Sequence, residues 1–214
     1  MLCAALALLL GASASAQESF LTGHLTLKLA GGESTLHTYA THVPEDAAER
    51  ASSPEQRAIL EKVAGTDQHS ATFMRLEGIS LGGVQITPTT LFVSLYFRAD
   101  DERSSGVGGV DVAFALDPET FEVIESDDLD VKYLPTGSSF DDYYALTKGE
   151  LVIATVEVVD GQTLAISGGF SGLLSLQEGF LVAHNPDDTL EVEATFVVDQ
   201  VVGSDVVLEI LEGE

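Results

Sequence analysis

Leu91-Phe92-Val93-Ser94-Leu95-Tyr96-Phe97 decides the fold class. Leu91, Val93, Leu95 and Phe97 fall on one face of an extended chain, and Phe92, Ser94 and Tyr96 on the other. The same period of two recurs downstream in Val110-Asp111-Val112-Ala113-Phe114-Ala115-Leu116 and in Leu129-Asp130-Val131-Lys132-Tyr133. It returns in Leu190-Glu191-Val192-Glu193-Ala194-Thr195-Phe196. Upstream, Leu25-Thr26-Leu27-Lys28-Leu29 alternates as well, Gly31-Gly32 supplies a turn, and a Thr-rich strand returns over 35–42. In each run an apolar set points inward, and the opposite face carries mainly small or charged groups, with Phe92 and Tyr96 as the aromatic exceptions in 91–97.

Two later runs, 151–159 and 197–202, carry apolar residues on both faces. They read as central strands covered on both sides, or as strands facing another subunit. Val206, Leu208 and Ile210 suggest a last strand. One segment breaks the pattern. Ser53-Pro54-Glu55-Gln56 offers an N-cap, a proline at the first helical position and Gln at the capping-box position. Ala58, Ile59, Leu60, Val63 and Ala64 give an apolar stripe, and Gly65 closes it, so one short helix is expected near residues 54–64, with a shorter turn over 45–51.

Strand runs separated by Gly, Pro, Asp and Ser clusters, without helices between them, exclude parallel βαβ units. The expected fold is all-β, an antiparallel β-sandwich of roughly ten to twelve short strands, with a small closed β-barrel as the alternative. A transmembrane barrel is disfavoured by the acidic alternate faces and the lack of aromatic girdles.

The first sixteen residues carry an apolar run from Leu2 to Leu10 followed by small residues ending in Ala14-Ser15-Ala16. That pattern reads as a cleaved signal peptide over 1–16, too short to span a bilayer, although no Lys or Arg precedes it. The expected mature chain is one acidic domain, 17–214, in the periplasm or outside the cell. Cys3 falls within the signal, so the mature chain has no thiol chemistry and no disulfide. Nine basic residues stand against 35 acidic ones, a formal net charge of −26, with 45% hydrophobic residues and a mean hydropathy of +0.21. The apolar content argues for a packed domain rather than disorder. The anionic surface excludes nucleic acid as a partner and favours divalent cations, cationic partners or a high-salt setting. No membrane span is read beyond the signal.

Candidate chemistry is sparse. Hard cations need converging oxygen ligands, and Asp127, Asp128 and Asp130 place three carboxylates within four residues. Calcium is the one cofactor they suggest. Asp100-Asp101-Glu102, Asp141-Asp142 and Asp187-Asp188 are weaker clusters, better read as turn caps. Tyr143 and Tyr144, beside Asp141 and Asp142 in an expected loop, form a candidate grip for a cationic or sugar ligand; the absence of Trp counts against a sugar-stacking module. His24 is expected across the hairpin from His37, giving two ligands of a metal site whose third would have to come from elsewhere. Gly169-Phe170-Ser171-Gly172 lacks the closing glycine and the following helix of a nucleophile elbow, and reads as a bulged or bent strand. Gly106-Val107-Gly108-Gly109 lacks a phosphate-loop lysine.

With no convergent catalytic motif, the functional expectation is a non-enzymatic binding or structural protein of the cell envelope or extracellular space. A lipocalin-like carrier of a small apolar ligand and a divalent-metal-dependent hydrolase using the Asp clusters with His24 or His37 stand as alternatives.

Overall fold

A computed structural model describes residues 19–81, 84–85, 87–99, 108–124, 130–136, 142–178 and 184–203. The expected signal peptide and the expected strand at Val206, Leu208 and Ile210 lie outside the described residues. The strands are β1 (Ser19–Leu29), β2 (Gly32–His42), β3 (Asp67–His69), β4 (Ala71–Leu76), β5 (Ser80–Leu81) and β6 (Val84–Gln85). They continue with β7 (Thr90–Arg98), β8 (Gly109–Leu116), β9 (Asp130–Leu134), β10 (Tyr143–Asp160), β11 (Thr163–Gln177) and β12 (Asn185–Gly203). The described α-helix is α1 (Pro54–Val63), preceded by a 3-10 turn at Ala47–Arg50.

Ten strands form one sheet in the order β11-β10-β9-β8-β7-β4-β12-β1-β2-β3, and β5 pairs with β6 apart from it. Two further ladders, β11 with β12 and β2 with β7, tie the ends of this series back to its middle. The sheet is thereby folded over a single core. The fold is all-β and mainly antiparallel, consistent with a sandwich, and it is not a clean barrel. One short parallel contact breaks the antiparallel rule, where Val202 and Gly203 of β12 meet Thr72 and Phe73 of β4. The core takes the inward half of each alternating run: Leu25, Phe73, Leu95, Phe97, Phe114, Leu116, Ile166 and Phe196 are all almost completely buried.

The α1 N-cap behaves as the sequence demands, with the Ser53 side chain accepting from the Gln56 backbone N–H at 3.1 Å. The return half of the capping box is shifted by one residue. Gln56 Oε1 accepts from the backbone N–H and hydroxyl of Ser52, both at 2.7 Å, because the glutamine is buried against that side. Gly65 follows the Ala64 cap with φ +74°, the left-handed geometry that ends helices.

Two expectations need correction. The first hairpin turns at Ala30-Gly31, with φ of 49° and 79°, while Gly32 already pairs with Leu29. Two central residues with positive φ match the twist of the flanking strands, and that selects the register. Secondly, of the two readings of the run at 151–159, cover on both sides does not hold, since Val152, Val158 and Val159 are 52%, 52% and 60% exposed; a strand facing another subunit is not touched by this. β10 continues past its short pairing with β9, so one edge of the strand is left without a ladder among the described residues.

Gly149 and Gly172 face each other in the β10–β11 ladder with φ of +145° and +147°. A Cβ on Gly172 would sit 2.0 Å from the Lys148 carbonyl oxygen, and one on Gly149 would sit 2.1 Å from that of Ser171. The two long strands cross at this point only because neither residue has a side chain. Gly172→Ala is therefore expected to lower unfolding free energy by roughly 2–4 kcal/mol in urea titrations, and a loss under about 0.5 kcal/mol would contradict this crossing.

Candidate functional site

Residues paired directly across a ladder share a face, so the register maps the outer face of the β7–β10 layer. Tyr96 pairs with Asp111, Asp111 with Lys132, and Lys132 with Ala145, a single row across four strands. In the adjacent row Arg98 pairs with Gly109 and Gly109 with Leu134. Tyr143 lies two residues before Ala145 on the same face. Beneath this row Phe97, Val112 and Val131 point into the core. The outer face nevertheless holds its own small cluster: Leu134, Tyr143 and Ala145 are buried with Tyr96 packed against them.

The polar groups of this cluster are arranged around two of the chain's nine basic residues. Arg98 lies 5.4 Å from the Tyr39 ring centre and 5.9 Å from that of Tyr96, between the two rings. Lys132 is ion-paired with Asp130 and lies 5.6 Å from the centre of the Tyr143 ring. Burial by itself would lower the Lys132 pKa, but hydrogen bonding and charge from Asp130, with Asp111 and Tyr143, raise it above its usual value. Burial pushes the Tyr96 hydroxyl up as well, opposed by Arg98 and reinforced by Asp111.

Asp111 is the anomaly. Desolvation drives its pKa up to about 6, Lys132 pulls it back down in part, and Asp130 raises it further. Its Oδ1 is buried and has no hydrogen-bond partner among the described residues; the same holds for Arg98 Nε. The face thus carries one unmet acceptor and one unmet donor, framed by tyrosine rings. Buried polar atoms of this kind are uncommon in a settled fold.

The sequence candidates are distributed as follows. Asp127 and Asp128 lie outside the described residues. Asp130 opens β9, and its carboxylate is engaged by Lys132, so a cation at that position would compete with an ammonium already in place. Tyr143 and Tyr144 lie within β10 rather than in a loop, and as successive strand residues they point to opposite faces. Tyr143 joins the outer cluster. Tyr144 packs against the main core, 6.4 Å from the Tyr133 ring, and its hydroxyl donates to Asp188 Oδ1 at 3.2 Å. His24 and His37 do face each other across the β1–β2 hairpin. Among the described residues, no three His, Cys, Asp or Glu side chains converge as metal ligands. Gly169, Phe170, Ser171 and Gly172 are continuous strand within β11.

The structure therefore joins Asp130 and Tyr143, read separately in the sequence, through Lys132. Tyr39, Tyr96, Arg98, Asp111 and Lys132 were not singled out from the sequence. The available signal was the recurrence of Tyr, Arg, Asp and Lys at outward positions of strands that are neighbours in the sheet. No protein family, curated protein or solved structure matches the chain. No helix among the described residues is long and apolar enough to cross a membrane.

The sign of the Asp111 effect on stability follows from its raised pKa. Between pH 3.8, its ordinary value, and about 6 the folded state keeps a proton that the unfolded chain has released, so this group's contribution falls as pH rises through that window. The full span is about 3 kcal/mol. Asp111→Asn should match wild type in unfolding free energy near pH 4 and exceed it by up to about 3 kcal/mol above pH 6. Parallel pH profiles for the two proteins would refute this account of the carboxyl.

Proposed function

We propose that this chain is an exported, non-enzymatic binding domain, and that its ligand site is the outer-face cluster of Tyr39, Tyr96, Arg98, Asp111, Lys132 and Tyr143. The observation that carries the reading is the buried, unmatched Asp111 carboxyl beside Lys132. An apolar side chain at that position would serve the fold better, because removing a carboxylate from water costs more than a nearby lysine returns. Groups held in this way, with perturbed ionisation, are characteristic of sites that await a partner.

The chemistry narrows the ligand. The cation–π positions over the three tyrosine rings are already occupied by Arg98 and Lys132, which leaves little for a cationic ligand to gain. A neutral hydroxylated ligand, donating to Asp111 and accepting from Arg98, answers both unmatched atoms at once. The carrier alternative requires interior space, whereas Phe73, Phe97, Phe114 and Phe196 occupy the space enclosed by the sheet. The metal-dependent hydrolase requires a third ligand near His24 and His37.

Calorimetric titration of residues 17–214 with a panel of neutral oligosaccharides tests the site. Asp111→Asn and Lys132→Met should each weaken the best ligand roughly tenfold or more, with Tyr144→Phe close to wild type. Absence of any saccharide binding, or equal affinity in all variants, would overturn the reading. Export has its own test. Expressed from its full gene in a secreting host, the protein should carry Gln17 as its first residue by N-terminal sequencing; recovery of an intact Met1 chain in the cytoplasm would contradict export.

A further inference from the structure

β9 meets β10 only at Tyr144 and Ala145. A register shift between Leu146 and Lys148 then swings β10 away, and from Leu146 onward β10 is hydrogen-bonded to β11 alone among the described residues. On the far side of the opening, the chain after β8 is held by the Leu116–Val123 bridge. Between them runs an open groove of about 400 Å³, lined by Phe121, Glu122 and Val123 on one side and by residues 151–156 on the other. The groove occupies the place of a missing strand.

Its lining is that of a strand acceptor. Leu151, Ile153 and Val156 sit half-buried against the core and supply the apolar half of a groove wall whose other half is polar. Residues 151–156 contain no charged side chain, no proline and no glycine. Edges that must stay unpaired are guarded by lysine, proline or bulges; on this open edge Lys148 and two of the three register shifts lie outside 151–156, and one shift, between Ile153 and Thr155, lies within it. Glu122 lines the groove, and the exposed Glu150 and Glu157 flank residues 151–156 along β10. Lys148 is the single Lys or Arg after Lys132, so the chain has almost no cations of its own to place there.

We propose that the exposed edge of β10 at residues 151–156 accepts an extended segment of a cationic partner polypeptide as an added strand. Main-chain hydrogen bonds to β10 supply the affinity of such an interaction, and alternate side chains packing into the groove supply selectivity. Apolar or β-branched residues at every second position fit Leu151, Ile153 and Phe121. Lys or Arg at the flanks fits Glu150, Glu157 and Glu122. A second copy of this chain is the poorer occupant, because centring two antiparallel β10 edges on 151–156 sets Glu150 against Glu157 between molecules of like net charge. This surface is separate from the tyrosine cluster, so either proposal can fail without the other.

Fluorescence anisotropy with two labelled seven-residue peptides of alternating valine and threonine, one flanked by lysines and one by glutamates, tests the assignment on residues 17–214. The lysine-flanked peptide is expected to bind and to weaken at high salt, with the glutamate-flanked peptide at least tenfold weaker. Val152→Lys, at an exposed position on the edge, should abolish binding while leaving the melting temperature close to wild type. The double variant Glu150→Gln with Glu157→Gln should weaken the lysine peptide roughly fivefold to tenfold, and keeps the test open should Val152→Lys not fold. Equal binding of both peptides, no binding of either, or self-association in sedimentation that Val152→Lys removes would each overturn the proposal.

Discussion

Phe97 of β7 and Phe196 of β12 meet at 5.9 Å between ring centres, and the architecture depends on such contacts across the core. A sheet with one apolar face has nowhere to hide it unless a second layer covers it or the sheet folds onto itself. Here the second route is taken. Phe73 from β4 and Phe114 from β8 fill the same interior, so strands distant in sequence present large rings to one another. Once these side chains are enclosed, the outward residues of the same strands are fixed in position too, and the polar row on β7–β10 inherits its geometry from the core beneath it.

The polar row shows why charge must be read in place. The chain is strongly anionic, yet Arg98 and Lys132 stand on one face, each against tyrosine rings, with Asp111 and Asp130 as counter-charges. An exposed pair such as Lys28 with Glu193, 3.2 Å apart, contributes little because water screens it. Lys132 and Asp111 are different, since partial burial strengthens every interaction among them and penalises every mismatch. The acidic coat and the inner charge group thus obey one rule at two dielectric limits.

Much of the fold was legible. The alternation in 91–97 and 110–116 gave strands with the correct inward residues, Ser53-Pro54 placed the helix start, and the hairpin reading set His24 opposite His37. What failed had a common cause. Alternation says which residues share a face but not whether that face is wet. Asp111 therefore read as a solvent-facing charge, and for the run at 151–159 the first of two readings, cover on both sides, does not hold. Tyr143 and Tyr144 were taken as a pair because they are adjacent, although adjacency in a strand separates side chains. The Ala30-Gly31 turn was missed by one residue because two glycines follow Ala30, and only the ladder decides which of them is used.

The pairing of β1 with β12 has a kinetic consequence. Leu25 lies opposite Phe196 and Leu27 opposite Ala194, so the first described strand finds its neighbour in the last described one. Until β12 has been delivered, the edge of β1 opposite β2 stays unpaired, although β2 can already pair with β3 and β7. Closing so long a loop must precede the reward of the contacts it creates, placing the molecule among slow folders. The nascent polypeptide consequently passes through an extended period with its best apolar strands uncovered, when proteases, holding factors and neighbouring copies compete for them.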